Sequence, residues 1–274
     1  PYQVAKDENV GEGFENPATN PNDQGDGLGC LSFISMFGGE EATNVSYSTL
    51  TPDYDIERYT LYRPGDPAPG DTFPVLSWAN GTCAKVIGYD GLLSHLASHG
   101  FIVIAANSRY TGSGEAQRKG VDWVLEQNAN PDSPLHGHVA AELIGLFGHS
   151  QGGASTWNAS KDPRVKTAIV LNAGAMDARP IPSYFLTGDD DVAFALNGSR
   201  SGAMLQESSA FVQLHEGSDH ITLMVEPERV YPSVTAWFRY HLRNDQEGRA
   251  WFVGDDCKLC NRAEQWEYIA KQLP

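Results

Sequence analysis

From residue 101 onward, short apolar runs alternate with longer segments of helical character, and few folds accept that order. FIVIAA at 101–106, LIGLF at 143–147, AIVL at 168–171, YFLT at 184–187 and FVQL at 211–214 are short, often β-branched and bounded by turn residues. Strands buried on both faces of a sheet have that composition. Helical stretches fall near 89–99, 115–128, 151–160 and 201–209, and two more, near 232–242 and 263–273, end the chain. Strands alternating with helices predict an α/β architecture: a mostly parallel central sheet with helices on both faces. Upstream, IERYTLY at 56–62 and TFPVLSW at 72–78 read as strands, expected to form a hairpin across the turn cluster PGDPAPGD at 64–71. Residues 1–29 are rich in Gly, Asn, Asp and Pro and are expected to be an irregular N-terminal arm. No Pro/Ser linker divides the remainder, so 30–274 is expected to be a single domain.

Within that frame, residues 148–152 read Gly148-His149-Ser150-Gln151-Gly152. A strand leads straight into this G-x-S-x-G and a helix leads straight out, the setting in which a sharp turn exposes a serine hydroxyl above a sheet. A Gly-rich turn with an incidental Ser is the plainer alternative. A serine hydroxyl is a poor nucleophile until a base takes its proton. Base and acid are expected on later strand-end loops, in the order Ser, acid, His. YFLT runs into Gly188-Asp189-Asp190-Asp191, and FVQL runs into His215-Glu216-Gly217-Ser218-Asp219-His220. Among eight histidines, His220 is the expected base and His215 the substitute. His149 lies inside the turn and is expected to point elsewhere. The three adjacent acids cannot be separated by spacing; a run of this kind is more often a solvated loop, and one could bind calcium, but the loop's position leads us to expect at least one functional acid. Two backbone N–H groups should hold the oxyanion. They are expected from Gln151, after the nucleophile, and from Thr82 in the Ala79–Cys83 loop, where Gly81 is expected to let the chain turn. Tyr89 and Tyr110 follow strand-end loops and are candidates to line a substrate cleft.

Composition narrows the partners. Lys+Arg is 19 against Asp+Glu 35, a formal charge of −16, which disfavours nucleic acid and anionic membrane surfaces. No apolar run is long enough to span a bilayer. The chain begins at Pro1 with no visible signal peptide, and it is expected to be a trimmed, secreted or periplasmic form. The four cysteines suggest disulfides, with Cys257–Cys260 as the close pair and Cys30–Cys83 by elimination. One C-x-x-C without a nearby His is poor evidence for zinc. Asn44, Asn80, Asn158 and Asn197 each begin an N-x-S/T sequon, most of them read as coincidental.

These stretches resemble the bacterial cutinases and PET hydrolases, within the dienelactone-hydrolase-like α/β-hydrolases. The resemblance is carried by LASHGFIVIAANS at 96–108, GHSQGG at 148–153, IPSYFLTGDDDVA at 181–193, VQLHEGSDHI at 212–221 and VTAWFRYHLRND at 234–245. It implies the α/β-hydrolase fold, a triad of Ser150, Asp191 and His220, and an oxyanion hole at Thr82 and Gln151. The distance from Pro182 places the acid on Asp191. The implied function is serine carboxylic-ester hydrolysis of the cutinase or polyesterase type, on an ester or polyester substrate, by a monomer needing no cofactor and no metal. Departures stand beside it. Thr82 falls where the family has an aromatic residue, Gln151 where it has Met, and LNAGAMDA at 171–178 lacks the family's cleft Trp. Trp157 is expected in the core and does not replace that residue. An acetyl- or feruloyl-type polysaccharide esterase therefore stays as an alternative, and a non-catalytic binding module on a hydrolase fold as one of another class.

Overall fold

A computed structural model describes residues 1–11, 58–108, 111–175, 177–191, 198–199, 202–203, 206, 210–215, 217–260 and 268–271. Nine strands lie in one sheet among them: β1 (Val4–Val10), β2 (Tyr59–Pro64), β3 (Phe73–Ala79), β4 (Ile102–Ala106), β5 (Val139–His149), β6 (Val165–Leu171), β7 (Ser183–Gly188), β8 (Ala210–His215) and β9 (Tyr268–Lys271). Their order is β1-β2-β4-β3-β5-β6-β7-β8-β9. The inner run from β4 to β8 is parallel, while β1, β2 and β9 pair antiparallel at the flanks. The longer helices are α1 (Asp90–Ser98), α2 (Glu115–Ala129), α3 (Gln151–Ala159) and α4 (Tyr231–Arg243).

The apolar runs segregate by the two-residue period of a strand. Leu76, Val103, Phe147, Ile169, Leu171 and Tyr184 point to one face and pack under α1 and α4, against Leu92, Leu96, Trp237 and Phe238. Their neighbours Val75, Ile102, Ile104 and Leu146 point to the other face, under Val121 and Val124 of α2. Val170 and Phe185 meet Trp157 of α3 on that second side. The core therefore lies on both faces of the sheet, as its doubly apolar strands predict. Trp157 is a core residue, as expected. The result is the α/β-hydrolase fold.

Three expectations need correction. β2 and β3 do not form a hairpin: β4 is inserted between them, antiparallel to β2 and parallel to β3. The turn cluster ends one strand and starts another but does not choose neighbours, and β3, buried along its whole length, takes two parallel partners instead. The N-terminal arm is not irregular throughout. Val4–Val10 alternates exposed and half-buried residues and forms an edge strand on β2, its charges engaged by the Arg63–Asp7 and Lys6–Asp90 ion pairs. The expected helix at 263–273 instead contains β9, because pairing with the open edge of β8 outweighs a modest helical propensity. The helix expected at 201–209 lies largely outside the described residues.

Candidate active site

The sheet delivers the site at the C-terminal ends of its parallel strands, where open α/β sheets expose strand-end loops. β5 ends at His149 and α3 begins at Gln151, leaving Ser150 alone to make the turn. Its backbone sits at φ 55°, ψ −119°, a conformation costly for a residue with a Cβ. The flanking glycines make that turn possible. A Cβ on Gly148 would lie 2.2 Å from the Gly152 carbonyl oxygen, and one on Gly152 would lie 2.0 Å from the Ala79 oxygen. Strand, helix and the end of β3 thus meet backbone to backbone.

Ser150 Oγ lies 2.8 Å from His220 Nε2, and His220 Nδ1 lies 2.8 Å from Asp191 Oδ1. Burial separates the three acids: Asp189 and Asp190 are exposed, while Asp191 is buried. Asp191 Oδ2 accepts from Asn172 Nδ2 at 2.7 Å and from Thr187 Oγ1 at 2.9 Å. Burial pushes its carboxyl up, but the hydrogen bond and charge of His220, with Asn172 and Thr187, outweigh burial and hold it below the usual carboxylate range. Asn172 and Thr187 were not expected. The available signals were an Asn directly after the β6 run, a residue type that tolerates the positive φ of 51° it adopts there, and a hydroxyl residue four before the acid.

The expected oxyanion donors flank the same turn. Gln151 is the first residue of α3, and Gly153 and Ala154 take the Ser150 carbonyl. Thr82 follows Gly81 in a turn closed by Ala84 N–H donating to Gly81 O at 3.1 Å. The left-handed residue of that turn is Cys83, at φ 63°, so Gly81 is not what bends it. Gly81 is required by proximity: a Cβ there would lie 2.8 Å from His149 Nδ1. Thr111 N–H donates to Gln151 Oε1 at 2.9 Å, and Thr111 Oγ1 to Asn80 O at 3.2 Å, tying the Ser150 turn (the elbow) to the loop that carries Thr82. Asn80 is wholly buried and donates to Ala106 O and Ser108 O, so its sequon offers no free amide.

Tyr89 does not line an open cleft. It is 1% exposed, with its hydroxyl 2.8 Å from His149 Nδ1. His149 is turned away from Ser150, as expected: it is buried, its ring nitrogens bonded to the Tyr89 hydroxyl and the His220 carbonyl, its ring centroid 5.0 Å from that of His220. Tyr110 and Cys30 lie outside the described residues. Cys257 and Cys260 are joined by a disulfide, as expected, and Cys83 is also disulfide-bonded. Among the described residues, no group of three or more His, Cys, Asp or Glu could hold a metal ion, and no helix is long and apolar enough to cross a membrane.

A family model described as PET hydrolase-like matches residues 46–267. The chain belongs to that family. It is 23% identical to Cutinase 2 of Thermobifida cellulosilytica over 197 residues, covering 68% of this chain and 74% of that protein. To Cutinase cut1 of Thermobifida fusca it is also 23% identical over 197 residues, and there it spans only 60% of the relative's length. A shorter match, 29% over 98 residues, joins it to the chloroplastic Chlorophyllase-1 of Citrus unshiu, with 33% of this chain and 30% of that protein covered. PET hydrolase-like membership and the cutinase relatives together support a carboxylic ester hydrolase.

Proposed function

We propose that this chain is a serine carboxylic-ester hydrolase of the cutinase or polyesterase type, acting through an acyl-enzyme on Ser150 within a single catalytic domain. The observation that carries the reading is the unbroken hydrogen-bond line Asp191–His220–Ser150. His220 takes the Ser150 proton as the oxygen attacks the ester carbonyl, then returns it to the leaving alcohol. Asp191 orients the ring and stabilises its charged form. The Thr82 and Gln151 amides hold the oxyanion, and water, deprotonated by His220, releases the acid in a second round. Ile87 and Val225 support an apolar ester. They are large exposed hydrophobics on turns that pack together beside the oxyanion loop and the histidine loop. Polar Thr82 and Gln151 favour a second reading, a small-acyl or polysaccharide esterase. The Cys257–Cys260 disulfide supports a secreted protein, since such bonds persist in oxidising compartments.

Hydrolysis of p-nitrophenyl acetate, butyrate and octanoate, beside a polyester film, tests this in wild type and Ser150→Ala. Activity on longer esters and film that disappears in the variant is the expected result. Activity on acetate alone selects the small-acyl reading. Turnover that survives Ser150→Ala sinks the mechanism.

A further inference from the structure

His149, one residue before the nucleophile, sits in a line of hydrogen bonds whose directions are all determined. Its Nε2 lies 2.7 Å from the carbonyl oxygen of His220. A carbonyl only accepts, so Nε2 carries the hydrogen, and the neutral ring presents Nδ1 as an acceptor. The Tyr89 hydroxyl, 2.8 Å from Nδ1, must then donate to it. That leaves the Tyr89 oxygen to accept the N–H of Gly81, 3.2 Å away. Burial, and after it the charge of His220, push the His149 imidazole down to about 3, and burial raises the Tyr89 phenol. Both groups therefore keep these roles at neutral pH.

We propose that Tyr89 and His149 are positioning residues that hold the turn carrying the Thr82 oxyanion donor in register with the main chain of His220. The proposal rests on the acyl-transfer reading above and deepens it. In a trans peptide the Gly81 carbonyl and the Thr82 N–H point in opposite directions. The carbonyl points into the turn, toward Ala84 N–H, so the Thr82 N–H points out of it. With its carbonyl held by Ala84 and its N–H by Tyr89, Gly81 cannot rotate that peptide away. Only a glycine admits this approach, since a Cβ would lie 2.8 Å from His149 Nδ1 and 3.1 Å from Tyr89 Oη. At its other end the line grips the carbonyl of the residue whose ring takes the Ser150 proton. Oxyanion donor and general base, 138 positions apart in the chain (220 − 82), are thereby fixed to one another.

The test compares wild type, Tyr89→Phe, His149→Leu and the double variant on p-nitrophenyl butyrate, with Ser150→Ala as the control. Removing an oxyanion donor costs about 10²–10³ in kcat, so misorienting one should cost about 10–100-fold, with KM held within about twofold. Tyr89→Phe keeps the buried ring and removes only the hydroxyl, so it remains informative should His149→Leu fail to fold. The double variant should lose no more than the worse single, since both interrupt one line. Nitrogen-15 shifts of wild-type His149 should show hydrogen on Nε2 and none on Nδ1. A rate abolished by Ser150→Ala but undiminished by Tyr89→Phe overturns the positioning role alone, as does a hydrogen on Nδ1. A rate that survives Ser150→Ala overturns the acyl-transfer reading and the positioning role together.

Discussion

Ser150 and Asp191 reach the same imidazole from opposite nitrogens at the same 2.8 Å, yet the two sides are built from different forces. The Ser150 side is steric. Ser150 is held at φ 55° by a strand, a helix and two glycines whose backbones leave no room for a side chain. The acid side is held by hydrogen bonds: Asp191 is fixed by Thr187, from the end of the strand β7 that leads into it, and by Asn172, just past the end of neighbouring β6. A steric constraint persists because the surroundings over-determine it. A hydrogen-bonded one weakens with each partner lost, because a buried carboxylate left short of donors is costly. The first should therefore fail through stability and the second through chemistry.

The sharpest test of that contrast is on the acid side. Asp191→Asn keeps the shape but presents an amide to His220 Nδ1, and loss of the correct tautomer costs about 10⁴ in kcat. Asp189→Asn, two residues away and exposed, should leave kcat within about twofold. Steady-state rates on one activated ester decide this, and equal losses would remove Asp191 from the line. On the steric side the expected readout is reversed. Gly152→Ala drives a Cβ to 2.0 Å from a backbone oxygen that cannot yield without moving β3. It should cost about 3 kcal/mol or more, a fall in Tm of about 6–12 °C. A variant with unchanged Tm would mean that the elbow is looser than its contacts imply.

The same contrast explains what could be read in advance. The elbow is legible because steric requirements are met by neighbours in sequence: Gly148 and Gly152 stand within two residues of Ser150, between a strand and a helix. The parallel sheet is legible for a similar reason, since a strand buried on both faces announces itself by composition. The acid is harder. Asp189, Asp190 and Asp191 are chemically identical, and only the turn after β7 buries one of them. Asn172, Thr187, Tyr89 and His149 act through partners that lie from 4 to 71 positions away, and no spacing rule joins them. The flanks of the sheet failed for another reason. β1 and β9 are specified by the open edges they cover, and β2 by β4, a partner far along the chain.

The smallest expected effect separates the two sides by pH. Thr187→Val keeps the volume of a fully buried side chain and removes one donor to Asp191 Oδ2, leaving Asn172 there. A hydrogen bond to a charged acceptor contributes about 1.5 kcal/mol, so the variant should unfold at lower urea at neutral pH. Because the Asp191 carboxyl is held below its ordinary value, its stabilisation is present above the unfolded-state pKa and is lost as pH falls through the folded one. Thr187 donates to the charged form, so the gap between wild type and variant should narrow as the solution is acidified below the ordinary carboxylate range. Urea midpoints at neutral pH and at the lowest pH where both proteins stay folded give the comparison. A gap that stays constant would mean that Thr187 acts by packing, and the acid side would then be steric too.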